Sequence, residues 1–226
     1  MNLPNSLTVA RMALVPVFII FFYLGQGGAL AFCGLAFVVF VVASATDAID
    51  GYIARRDNLI TNFGKLMDPL ADKVLTASAF IVFVDMHIIP AWMVIVVLVR
   101  EFAVTGLRGV AASEGEVIPA GFSGKLKTVF QMVAISLILL GSALYGGSAA
   151  YAGHSYQIYS FPPVWEPSQH LWGFVSQFQA LPSVGPWLLW IIVFGAGFIC
   201  LWAAVALTVY SGIEYFWKGR KLLKAR

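Results

Sequence analysis

The chain has 226 residues, of which 60% are hydrophobic and only 11% charged, with a net charge of +3. A water-soluble domain carries about 25% charged residues, so this composition excludes an ordinary soluble fold and points to an integral membrane protein. A spanning helix takes about 20 apolar residues, which leaves room for roughly six spans with short loops in one domain.

Six helices are predicted in chain order. The first covers about Leu7 to Tyr23 and ends at Gly25-Gln26-Gly27-Gly28. Met1–Arg11 lacks a basic stretch followed by a small-residue cleavage site, so this first apolar segment is expected to stay with the protein. The second helix starts near Gly28 and continues through Asp47 to about Arg56. The third runs from about Asn62 to Val84, the fourth from Ile88 to about Val110, the fifth from about Ser123 to Tyr145, and the sixth from about Pro186 to Trp217. A basic tail, Lys218 to Arg226, follows. Cys33 and Cys200 both sit in apolar segments and read as small hydrophobes rather than a disulfide.

The basic residues set the orientation, because Lys and Arg stay on the cytoplasmic side of membrane proteins. Arg11, Arg55, Arg56, Lys65, Lys73, Arg100, Arg108, Lys125, Lys127 and the five in the tail account for all 14 Lys and Arg. All fall at one end of the six predicted spans. Both termini are therefore expected in the cytoplasm, and residues 1–226 are expected to form one membrane-embedded domain with a long outer segment at about 146–185. That segment is rich in aromatics, Gly, Ser and Pro. His154, Glu166 and His170 within it match no metal-ligand spacing, and an outer cap or partner surface is the expected role.

The stretch between the second and third spans carries the chemistry. Asp47, Asp50, Gly51 and Ala54 lie at i, i+3, i+4 and i+7, one stripe of a helix. Gly64, Asp68 and Asp72 lie at i, i+4 and i+8 on the next. If the two stripes face each other, four carboxylates converge beside small residues that let another group approach. Converging carboxylates repel and drift toward the neutral acid unless a cation joins them. All-oxygen donors without His or Cys select Mg²⁺, Mn²⁺ or Ca²⁺. Such ions commonly complete their shell with substrate phosphate. Solvated carboxylates, or carboxylates paired with Arg55, Arg56, Lys65 and Lys73, are the plainer alternative. Ionisable groups within a membrane are functional by default.

The pattern Asp47-x-x-Asp50-Gly51-x-x-Ala54-Arg55 followed by Gly64-x-x-x-Asp68-x-x-x-Asp72 resembles the signature of the CDP-alcohol phosphatidyltransferase family without departure. The resemblance implies an all-α membrane fold of six transmembrane helices that transfers a phosphatidyl group from a CDP-linked lipid to an alcohol, with CMP leaving. It implies that Asp47, Asp50, Asp68 and Asp72 hold one or two Mg²⁺ or Mn²⁺ ions, and that Asp72 takes the proton from the acceptor hydroxyl. Gly51, Ala54, Arg55, Thr61 and Gly64 match positions around the CDP-lipid. "LPNSLTVAR" resembles a family element that brings Asn5 and Thr8 to the same nucleotide; without the family, Asn5 or Ser6 would read as a helix N-cap. Homodimers are common among relatives, and the resemblance implies one here.

The acceptor has to be sought in the second half. Arg100 and Glu101 fall inside the fourth span, as a structural ion pair or as part of the site. Glu101 and Arg108, seven apart, share a face, as do Lys127 and Gln131. Arg108, Lys125 and Lys127 are expected to form a basic pocket for an anionic acceptor, although positive-inside topology alone would also place cations there. "VREFAVTGLRG", "GKLKTVFQ" and "FGKLMDPLADKVL" resemble the family branch whose donor is CDP-diacylglycerol and whose acceptor is sn-glycerol 3-phosphate. A cardiolipin synthase of the same family, or an acceptor such as inositol phosphate or serine, stays open. The long outer segment departs from compact members. Outside the family, a cation transporter using the aspartates as its ion path, or a non-catalytic scaffold, are the alternatives. The other spans offer a transporter almost no midplane polar groups.

Overall fold

The structure, a computed structural model, describes the backbone of residues 3–26, 31–56, 62–86, 88–113, 121–151 and 185–224. The side chains of residues 3–5, 47–55, 62–66, 68–69, 145–151 and 218–224, among others, lie outside the described set, as does all of 152–184. Among the described residues the fold is all-α. Its helices are α1 (Leu3–Gln26), α2 (Ala31–Arg56), α3 (Asn62–Asp85), α4 (Ala91–Ser113), α5 (Phe122–Tyr151) and α6 (Gly185–Lys224).

Several boundaries differ from expectation for local reasons. α1 begins four residues early, so Asn5 and Ser6 lie inside the helix rather than capping it. Pro4 sits in its first turn, where no intrahelical donor is lost. α4 starts at Ala91 rather than Ile88, because a residue preceding proline is pushed out of the helical region and Pro90 follows Ile89. The amides of Ile88 and Ile89 instead turn back to the Phe83 carbonyl, at 2.9 and 3.4 Å. α6 absorbs most of the tail and ends at Lys224. Cations near a helix C-terminus favour such an extension.

α1 packs on α2 and α3, which also touch each other; α5 packs on α6 and α2, and α4 on α6 and α3. Phe18, Phe22, Phe40 and Phe83, all fully buried, join α1, α2 and α3. Their ring centroids are 5.9 to 6.2 Å apart, within the range of favourable tilted pairs. α5 and α6 meet through small residues. A Cβ on Gly197 would lie 3.2 Å from the Ile138 backbone nitrogen, and one on Gly141 would lie 3.2 Å from the Phe194 Cβ. Close backbone approach of this kind is how helices pair in lipid.

Among the described residues, three helical segments are long and apolar enough to cross a membrane. Ser6–Gly25, Phe122–Leu144 and Ile192–Tyr215 have mean hydropathies of 2.2, 1.7 and 2.3. Ala31–Thr46 is a shorter apolar helix. α3 and α4 fall short of that measure because they carry the charged residues Asp68, Asp72 and Lys73, and Arg100, Glu101 and Arg108. The outward faces are apolar: Ile81, Ile95, Ile192 and Ile199 are 57, 58, 58 and 73% exposed. A continuous apolar exterior of this extent suits lipid rather than water. Both cysteines are free.

Candidate active site

The two carboxylate stripes fall on neighbouring helices. Asp47, Asp50, Gly51, Ala54 and Arg55 occupy the last turns of α2, and Gly64, Asp68 and Asp72 the first turns of α3. Asp72 is half-buried, and its carbonyl accepts a hydrogen bond from Thr76 Oγ1 at 3.2 Å. Thr61 lies outside the described residues, as do the side chains of Asn5, Asp47, Asp50, Ala54, Arg55 and Asp68; Gly51 and Gly64 are described by their backbone alone. On α1, Thr8 is fully buried and Arg11, one turn on, is 1% exposed. A guanidinium that deep in an apolar helix belongs to a charged or polar neighbourhood, since burying an isolated charge is prohibitive.

The second constellation is described in full. A cavity of about 230 Å³ opens between α3, α4, α5 and α6. Lys73, Arg100, Arg108, Lys125 and Lys127 line it, with Glu101 as its carboxylate. Arg108, Lys125 and Lys127, expected to form a basic pocket, are thus brought together, and Arg100 and Glu101 join them. Five cations against one carboxylate give a strongly positive cavity suited to an anion.

Lys73, Arg100, Arg108 and Lys127 are each held by a neighbour. Lys127 is 1% exposed and forms an ion pair with Glu101. Glu101 also lies 3.5 Å from Arg100 Nη1. The adjacent pair expected from sequence is therefore one arm of a wider bridge, whose main partner is Lys127 on α5. Lys73 Nζ donates to Thr105 Oγ1, and that hydroxyl donates to the Glu101 carbonyl at 2.7 Å. Arg108 Nε and Nη2 both donate to Tyr215 Oη, at 2.8 and 2.5 Å. Ser123 Oγ donates to Glu214 Oε2 at 2.7 Å, tying the start of α5 to α6.

Lys73, Thr105 and Tyr215 were not anticipated as parts of the site. Lys73 follows Asp72 directly, so its position between the two motifs was visible. Tyr215 lies 107 residues beyond Arg108, and no local pattern links them. Lys73 makes α3 common to both constellations: the helix that carries Asp72 also lines the cationic cavity.

Comparison with known proteins agrees with this arrangement. The family model for CDP-alcohol phosphatidyltransferase matches residues 1–159, which include both aspartate stripes and the α4 and α5 cations. The chain belongs to the CDP-alcohol phosphatidyltransferase family. It is 40% identical over 232 residues to the Bacillus subtilis protein named CDP-diacylglycerol–glycerol-3-phosphate 3-phosphatidyltransferase, covering 99% of this chain and 97% of the relative. A protein of the same name from Rickettsia typhi is 43% identical over 141 residues, 62% of this chain and 78% of that one. Another of that name, from Cereibacter sphaeroides, is 29% identical over 235 residues, 99% of this chain and 97% of the relative. The first and third matches run through the long outer segment, so family proteins of this length carry a comparable stretch.

Proposed function

We propose that this member of the family transfers the phosphatidyl group of CDP-diacylglycerol to sn-glycerol 3-phosphate, giving phosphatidylglycerophosphate and CMP. The observation that carries the choice of acceptor is the cavity of Lys73, Arg100, Arg108, Lys125 and Lys127 beside the helix of Asp72. Full-length similarity to proteins named for this reaction supports it. A five-cation cavity selects an acceptor that already bears phosphate, which disfavours serine. At about 230 Å³ it is below the ~300–1,000 Å³ of pockets for drug-sized ligands. That suits a small phosphorylated triol better than the phosphatidylglycerol used by a cardiolipin synthase.

The reaction requires one bond made and one broken. The free primary hydroxyl of glycerol 3-phosphate attacks the lipid-linked phosphorus, the bond from that phosphorus to the CMP oxygen breaks, and CMP departs with the electron pair. Asp72, as general base, takes the hydroxyl proton; such a base has to come within hydrogen-bond reach of it. The cationic cavity holds the acceptor's phosphate by charge-assisted hydrogen bonds. That fixes the opposite end of the acceptor while its hydroxyl faces the α2–α3 motif. Asn5, Thr8, Gly51, Ala54, Arg55, Thr61 and Gly64 hold the CDP-lipid.

The donor set Asp47, Asp50, Asp68 and Asp72 is all-oxygen and anionic, which fits Mg²⁺ or Mn²⁺ and not a soft metal. Bound there, one or two such ions would offset the charge of the pyrophosphate. The placement of all 14 basic residues supports six spans with both termini cytoplasmic, and the bacterial relatives support a bacterial inner membrane. The site then sits at the cytoplasmic interface, where the donor's tails stay in lipid and its nucleotide in water. A homodimer accords with common family practice.

The test supplies purified protein with CDP-diacylglycerol micelles, Mg²⁺ and one labelled acceptor at a time. Label should enter lipid from glycerol 3-phosphate. Entry from inositol phosphate or phosphatidylglycerol instead would overturn the assignment.

A further inference from the structure

α6 lies beyond the residues that the family model matches, yet it supplies the residue on which two of the cavity's guanidinium groups rest. Tyr215 is 5% exposed and lines the cavity. Its phenol oxygen takes both Nε–H and Nη2–H of Arg108, while its ring centroid lies 5.9 Å from Arg100 Cζ. One residue of α6 thereby fixes two cations of α4. The neighbouring sequence is shaped to allow this. A Cβ on Gly212, one turn earlier, would lie 3.3 Å from Arg100 Cγ, and one on Gly124 of α5 would lie 3.4 Å from Arg100 Nη2. Arg100 passes between two helices that carry no side chain at those points. Glu214, beside Tyr215, is tied to Ser123 at the start of α5, so the α6 backbone at this level is anchored as well.

We infer that Tyr215 is a positioning residue for the phosphate of the acceptor: its hydroxyl sets the orientation of Arg108 and its ring seats Arg100. This rests on the proposed reaction, in which those cations bind glycerol 3-phosphate. Arginine has a long, flexible stem, and its value at a phosphate comes from a fixed fork of donors. With the Nε and Nη2 edge held by the phenol, the Nη1 edge is left in a defined direction for the anion. Without the hydroxyl, Arg108 would have to be ordered again each time an acceptor binds.

Tyr215→Phe removes the oxygen and keeps the ring over Arg100. The expected result is a KM for glycerol 3-phosphate raised about tenfold, the size of one lost hydrogen bond to a charged group. The KM for CDP-diacylglycerol and kcat should be unchanged. Tyr215→His, which keeps a hydrogen-bonding nitrogen, should recover part of the loss. In an Arg108→Lys background, which lacks the fork, Tyr215→Phe should add nothing, a non-additivity that marks direct coupling. The inference is overturned by an unchanged acceptor KM, by equal rises in both KM values, or by additive effects with Arg108→Lys. If Tyr215→Phe does not fold, Tyr215→His alone decides, since it should show the same selective rise in smaller degree. A wild-type protein inert toward glycerol 3-phosphate would sink the proposed reaction and this inference together. Normal wild-type turnover with an indifferent Tyr215→Phe would sink this inference alone.

Discussion

Removing Glu101 should destabilise the protein more than removing any other single surface of the cavity. Lys127 is 1% exposed, and its ammonium is paired with Glu101. The other charged groups around the cavity, Lys73, Arg100, Arg108 and Lys125, are all cations. Glu101→Ala thus leaves a buried ammonium without its ion-pair partner, beside four further cations. Breaking one partner of a buried pair costs about 3–5 kcal/mol. For a chain of this size each kcal/mol moves the melting temperature by about 2–4 °C, so the fall should be on the order of 10 °C. Thermal unfolding of the detergent-purified protein, followed by tryptophan fluorescence, measures it. Glu101→Ala combined with Lys127→Met should regain most of the loss, because the orphaned charge is gone. Inorganic phosphate should raise the melting temperature of Glu101→Ala more than that of the wild type, since an anion can replace the missing carboxylate. An unchanged melting temperature, or a double variant no better than the single, would refute the bridge between α4 and α5.

Four further outcomes are expected. Arg108→Ala should raise the KM for glycerol 3-phosphate by roughly ten- to a hundredfold, as loss of a charge-assisted contact of about 1.5–3 kcal/mol requires, with the donor KM little changed in steady-state kinetics. Asp72→Asn should lower kcat by about 10²–10⁴, the usual worth of a general base, while CDP-diacylglycerol still binds; full activity would remove Asp72 from that role. Asp68→Ala, or removal of divalent cations with a chelator, should abolish CMP release, and re-addition of Mg²⁺ should restore it only in the wild type. Gly141→Leu should weaken the α5–α6 pair by about 1–3 kcal/mol, the cost of overpacking, because its Cβ would crowd Phe194; differential scanning of the purified variant reads this directly.

Much of the architecture was legible because helices in lipid write themselves as apolar runs, and because a carboxylate stripe has a fixed helical period. Asp47 to Asp72 could be placed on the end of one helix and the start of the next from spacing alone. Arg108, Lys125 and Lys127 could be grouped because the α4–α5 connection is short enough to bring them to one end of the bundle. What stayed hidden depends on tertiary contact. The main partner of Glu101 proved to be Lys127 on α5 rather than its chain neighbour Arg100. Tyr215 reaches Arg108 only because α6 packs on α4. The late start of α4 was readable from Pro90, whose effect on the preceding residues outweighs the apolar character of Ile88 and Ile89. The extension of α6 through Lys224 was not, since a basic run after an apolar helix is equally compatible with a tail.

The most direct measurement follows CMP release and labelled lipid together, with the purified protein in vesicles containing CDP-diacylglycerol and Mg²⁺. On adding labelled glycerol 3-phosphate, CMP and labelled phosphatidylglycerophosphate should form in equal amounts, with no cation crossing the membrane. Ion flux without CMP release, or CMP release without label in the lipid, would contradict the assignment of the aspartates and the cationic cavity to a single transfer reaction.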